Sequence, residues 1–268
     1  MAAEVAKMAG QAYVIFGAYG GVGSELALRL RASGAKLLLA GRDEDRLNVL
    51  ADELRAGPSG PDGADADPAS IDVAIVEATN SQHIDAAIAQ AVARFGSVYG
   101  IANCFGSLLL KPAHATSDAE FETTLAINLK PAFAVVRAAG RAIKTGGSVV
   151  LVSSAAARIG MANHEAIAAA KAGVQGLALS AAATYAARNL RFNCVAPGLT
   201  QTPLTRSITG NELVAKGSLG KHALGRFGDP ADVASAIEWL LDPRQHWITG
   251  QVIGVDGGLS TLRTRAAS

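Results

Sequence analysis

The chain has 268 residues, half of them hydrophobic, with 24 basic against 23 acidic side chains and a net charge of +1. That length carries one large domain with a substantial core, while the balanced charge leaves no electrostatic footprint for nucleic acid or an anionic membrane. Aromatic residues make up only 5%, which also argues against stacking platforms for single strands.

Met1 to Gln11 contains no long apolar stretch of the kind that opens a signal peptide. No apolar run reaches the roughly 18 residues of a membrane span, so a soluble cytoplasmic protein with no membrane partner is expected. Residues 1–10 read as an extension, 11–260 as one domain and 261–268 as a tail. Cys104 and Cys194 each lie in a short apolar run, as buried free thiols do. A disulfide between them is the weaker alternative, and the count suits a reducing compartment.

Seven strand-length apolar runs follow one another: Ala12–Gly17, Lys36–Gly41, Ile71–Ala78, Val98–Cys104, Gly147–Ser154, Leu190–Pro197 and Gln251–Gly258. Between them lie helical stretches, among them Val22–Ser33, Gln82–Phe95, Asp118–Lys144 and Asn163–Arg188. Such strands separated by helices predict a parallel sheet covered on both faces. Right-handed crossovers then give a single doubly wound α/β domain of Rossmann type with seven parallel strands. The segment Gly57 to Ser70, rich in Gly, Pro and Asp, reads as a solvated loop, with a cation site on its carboxylates the weaker alternative.

The first strand runs into "FGAYGGVG", which places Gly17, Gly21 and Gly23 in a G-x-x-x-G-x-G pattern at the start of a helix. Glycine there lets the backbone turn tightly and lets a pyrophosphate reach the helix N-terminus, where unpaired N–H groups and the helix dipole favour anions. No Gly-Lys-Ser/Thr follows, so a nucleoside-triphosphatase loop is excluded. A glycine-rich turn without ligand is the bland alternative. At the end of the second strand stands Arg42, nineteen residues after Gly23. An acidic residue there would bond a ribose 2′-hydroxyl, whereas arginine pairs with a 2′-phosphate. This favours NADP over NAD, although Asp43 is adjacent and a plain surface arginine is the alternative.

At this point the chain resembles the short-chain dehydrogenase/reductase family, from about Gln11 to Ser260. "GAYGGVG" is similar to the family's glycine motif, and "IANCFG" to its Asn-Asn-Ala-Gly strand end, with Asn103 and Gly106 matching. "AINLKPAF" carries Asn128, "LVSSAAA" carries Ser154, and Lys171 matches the active-site lysine. "APGLTQTPL" resembles the loop that holds the nicotinamide, here through Pro197, Gly198 and Thr202. "GRFGDPADVA" and "ITGQVIGVDGG" are similar to the C-terminal signatures. The resemblance implies a cofactor site formed by Gly17, Tyr19, Gly21, Val22, Gly23, Arg42, Glu77, Ala78, Asn103, Gly106, Lys171, Pro197, Gly198 and Thr202. Tyr19 is expected over the phosphate end of the cofactor. The resemblance also implies a small-molecule substrate, a substrate lid at about 200–226, and a homo-oligomer, dimer or tetramer, built on the Ala- and Gly-rich helix after Lys171 and the long helix before it. Ordinary packing on the sheet is the other reading of those small residues.

The family's chemistry needs a donor and an acid at a carbonyl oxygen as hydride arrives at carbon. Its serine donates, its tyrosine protonates, its lysine lowers the tyrosine pKa and holds the ribose, and its asparagine orders a water. Ser154, Lys171 and Asn128 match three of these positions, but the tyrosine position holds Ile167, four residues before Lys171. Phe16 and Phe105 also depart from the family's smaller residues, and Glu77 from its aspartate. His164, three residues before Ile167 and seven before Lys171, shares their helix face. It stands as a substitute acid, by analogy with enoyl-thioester reductases that place their tyrosine seven residues before the lysine. The alternative is a plain first-turn histidine behind an Asn163 N-cap. "HEAIA" lacks the second histidine of a zinc helix, so no metal is expected. Two functions stay open: an NADP(H)-dependent reductase of carbonyls or activated double bonds, similar to 3-oxoacyl reductases, or a catalytically impaired relative serving as a cofactor-binding sensor or oligomer subunit.

Overall fold

The computed structural model describes residues 8–57, 67–210 and 212–263. Most of the expected extension, most of the Gly57–Ser70 loop and most of the tail lie outside the described residues. In chain order the first half runs β1 (Ala12–Phe16), α1 (Gly21–Ala32), β2 (Lys36–Gly41), α2 (Glu44–Ala56), β3 (Ile71–Ile75), α3 (Ser81–Phe95) and β4 (Gly100–Asn103). There follow α4 (Asp118–Asn128), α5 (Lys130–Ala142), β5 (Gly147–Val152) and α6 (Glu165–Tyr185). The chain closes with β6 (Leu190–Pro197), α7 (Arg206–Thr209), α8 (Glu212–Leu219), α9 (Pro230–Leu241) and β7 (Val252–Val255).

The seven strands form one parallel sheet in the order β3-β2-β1-β4-β5-β6-β7. Alternation along each strand divides the core in two. Val14 and Phe16 of β1 pack with Ile84 of α3, Val135 of α5 and Val174 of α6. Tyr13 and Ile15 point the other way, onto Leu26 and Leu30 of α1, Leu47 of α2 and Ile237 of α9. Strand order reverses between β1 and β4, so their C-terminal ends open the crevice where doubly wound folds take ligands.

Helices beyond those named from the sequence include α2 and α9. Asp43 caps α2 by accepting the backbone N–H of Arg46 at 3.1 Å, and Asp229 with Asp232 forms a capping box on α9. The expected single helix over Asp118–Lys144 is two helices that break at Leu129. Pro131 has no N–H to give the preceding turn, which ends α4 at Asn128. The N-cap of α6 is His164 rather than Asn163, which takes a left-handed φ of 64° just before it. The stretch Glu165–Arg188 is long and apolar enough to cross a membrane, yet it lays Ala166, Ile167, Ala170, Val174 and Ala178 into the core. Cys104 and Cys194 are free thiols.

Candidate active site

The crevice holds a groove of about 440 Å³ walled by Gly17, Tyr19, Gly21, Val22, Gly23, Arg42, Glu77, Ala78, Gly106 and Thr202, among others. Gly17 has φ +75°, and a Cβ on it would stand 3.0 Å from the carbonyl of Cys104 at the end of β4. A Cβ on Gly23 would meet the Gly17 carbonyl at 2.3 Å. Both positions therefore exclude any larger residue. The N-terminus of α1 carries no side-chain cap and no acidic residue in its first turn, so no side chain among the described residues caps it in place of an anion. These residues fit a dinucleotide pyrophosphate.

A second cavity of about 390 Å³ shares Val22, Cys104, Phe105, Gly106, Ser107, Thr202 and Leu204 with the groove. The two are thus neighbours across one wall. Leu108, Leu110, Met161, Ile167, Leu199 and Ile208 make much of it apolar, and Ser154, His164, Lys171, Pro197 and Gly198 also face it. Ser154 Oγ accepts the Ala156 N–H at 3.1 Å, which leaves the hydroxyl proton for an oxygen in the cavity. Lys171, 6% exposed, donates from Nζ to the Val152 carbonyl at 2.9 Å. Burial pulls its ammonium down to about 8, against smaller opposing effects of Cys194 and Cys104. Burial likewise lifts the Cys104 thiol to about 12, so the thiol stays protonated.

Ile167 is 3% exposed and lines the cavity one helical turn before Lys171. His164 stands a further turn back and is half-buried. Its Nδ1 lies 2.7 Å from the Ala162 carbonyl. A carbonyl only accepts, so Nδ1 carries the proton and Nε2 of the neutral ring has none to give. His164 is therefore an acid only as the imidazolium.

Two of the expected residues reach neither cavity. Asn128, 1% exposed, spends its amide on the Thr124 carbonyl and on the hydroxyl and N–H of Ser107. It holds Ser107, which does line both cavities. Asn103 accepts the Phe105 N–H at 3.3 Å and shapes the turn behind the groove. Among the lining residues that went unread in the sequence are Ser107, Arg46 and His222. His222 is buried, with Nδ1–H on the Ser218 carbonyl at 3.0 Å and Nε2 accepting the Leu199 N–H at 3.2 Å, so it ties the end of α8 to the loop after β6. Only the contact between distant segments reveals it. Phe16 and Phe105, separately unusual in the sequence, pack on each other with ring centroids 5.7 Å apart.

The family profile described as Enoyl-(Acyl carrier protein) reductase matches residues 17–260. The chain belongs to the short-chain dehydrogenase/reductase family. Among its relatives is a 3-oxoacyl-(acyl-carrier-protein) reductase of Thermotoga maritima, 30% identical over 94% of this chain and 99% of the relative. A trans-4-hydroxycyclohexanecarboxylate dehydrogenase of Sinomonas cyclohexanicum is 31% identical over 94% of this chain and 93% of its own length. A short-chain dehydrogenase/reductase from Mycobacterium ulcerans superposes with a TM-score of 0.89 at 29% identity, covering 96% of this chain and 92% of that one. As a short-chain dehydrogenase/reductase, the chain is an oxidoreductase with the Rossmann-type fold expected from its strand pattern.

Proposed function

We propose that this chain is an NADP(H)-dependent reductase of an apolar substrate's carbonyl group, such as a 3-oxoacyl group, or of its activated double bond, working without the family's tyrosine acid. The observation that carries this reading is the shared wall of the two cavities, with Lys171 and Ser154 on the substrate side. A bound nicotinamide supplies the hydride. Ser154 offers its hydroxyl proton to the substrate oxygen as negative charge grows there. Lys171 holds a positive charge beneath the cavity at neutral pH and would hold a ribose hydroxyl of the cofactor. Ile167 occupies the tyrosine position and gives no proton, so His164 in its imidazolium form, or water, completes the reaction. Residues 11–260 act as the domain, with residues about 200–226 as the substrate lid. The bare apolar groove of Leu125, Ala126, Leu129, Phe133 and Leu177 on α4, α5 and α6 supports a homo-oligomer. The location proposed is cytoplasmic.

Fluorescence titration with NADPH and, separately, NADH is the direct test. Tight binding with NADPH preferred is expected. No binding of either near millimolar concentration rejects the reductase and leaves a subunit that has kept only the architecture. With a substrate found by screening, His164→Ala is expected to lower turnover by 10-fold or more at unchanged NADPH affinity, on the order of a general-acid contribution. Unchanged turnover assigns the proton to water.

A further inference from the structure

We propose that Arg46 is a second cation for the cofactor's 2′-phosphate and that Tyr19 is the residue that positions it. This rests on the NADP(H) reading above. Arg42 and Arg46, four residues apart at the end of β2 and the first turn of α2, both wall the groove beside Tyr19 and Gly20. Neither has an ion-pair partner among the described residues. The carboxylate between them, Asp43, is turned onto the backbone N–H of Arg46 as the cap of α2 and does not wall the groove. Arg46 is held in place from one side: its guanidinium lies over the Tyr19 ring at 4.3 Å and donates Nη2–H to the Tyr19 carbonyl at 3.3 Å. The remaining N–H groups of that fixed fork are left for a phosphate, which a guanidinium engages through parallel hydrogen bonds. Tyr19 takes its position because Gly41 has no side chain; a Cβ there would stand 2.5 Å from Tyr19 Cε1. A glycine at the end of β2 thus sets a tyrosine of the glycine loop, and the tyrosine sets an arginine of the next helix.

The test is calorimetric titration of the full chain with 2′,5′-ADP, 5′-AMP, NADPH and NADH. Arg46→Ala is expected to weaken 2′,5′-ADP and NADPH by about 10- to 100-fold, the range for a charged hydrogen-bond pair, with 5′-AMP and NADH moved less than twofold. Tyr19→Phe keeps the stacking and is expected to bind like wild type. Tyr19→Ala is expected to lose part of the NADPH preference, and to add nothing in the Arg46→Ala background. Equal losses for phosphorylated and unphosphorylated ligands would overturn the inference, since Arg46 would then merely prop the groove. An intact NADPH preference in Arg46→Ala would overturn it as well. A wild-type protein that binds both dinucleotides alike is a separate result: it removes the cofactor reading itself, and the inference with it.

Discussion

At the ends of β1 and β2, the groove is walled chiefly by glycines and two arginines, Gly17, Gly20, Gly21, Gly23, Arg42 and Arg46, with Tyr19 and Val22 among them. Across the shared wall, at the start of α6, the corresponding inward-facing residue is the aliphatic Ile167, backed by Lys171. The first region works through backbone N–H groups, bare Cα atoms and fixed charge, spread over many residues. In the family's pattern, proton delivery in the second depends on a single tyrosine hydroxyl, at the position Ile167 matches here. Ile167 lines the second cavity and not the groove, so the proposed cofactor binding and acid catalysis are expected to be separable in this fold.

The strongest way to sharpen that contrast is Ile167→Tyr. If the missing hydroxyl is the only defect of the second region, carbonyl reduction is expected to rise by about 10²–10⁴-fold, the usual worth of a positioned acid. NADPH affinity should stay the same. A panel of ketones that shows no gain would mean the two regions are not separable in this simple way, with Phe105 the first suspect.

Lys171 tests the comparison through stability. Its folded value of about 8 lies below the ordinary value near 10.5 because the ammonium is buried. Below pH 8 both folded and unfolded lysines are charged, and the full burial cost of about 3 kcal/mol stands. Between about pH 8 and 10.5 the unfolded chain still binds a proton that the folded one has released, so this group's contribution to stability rises with pH. Urea unfolding of wild type and Lys171→Met at pH 7 to 10.5 is expected to show wild type gaining on the variant by up to that amount. Parallel curves would show that the amine is not desolvated.

Much of the molecule was legible where physics is local. Apolar runs announced all seven strands, and glycine spacing announced the crevice, because strand burial and tight turns are written in consecutive residues. The break at Leu129 was also local, through Pro131, but a long apolar helix pattern hides a kink of one residue. What was not legible depends on contacts between distant segments. Arg46 meets the groove where Tyr19 folds back over Gly41, and His222 where the stretch after α8 returns to Leu199. The resemblance offers Asn128 as an active-site group, and the fold adds what the sequence does not name, the partners Ser107 and Thr124 of its amide.

The Phe16–Phe105 pair is the smallest effect and the one that joins the two regions. Phe16 ends β1 beneath the glycine loop and is fully buried, while Phe105 walls both cavities. Each looks like a lone departure from the family, but β1 and β4 are neighbours, with Phe16 paired in register to Asn103. The large ring at 105 therefore has a large ring to rest on. A double-mutant cycle of Phe16→Leu and Phe105→Leu is expected to give a coupling of about 0.5–1.5 kcal/mol, as for other aromatic pairs. Phe105→Leu alone should shift NADPH affinity more than Phe16→Leu does, because only Phe105 touches the groove. Additive unfolding energies would make the two substitutions independent, and the glycine-loop region would then owe nothing to the wall it shares with the substrate cavity.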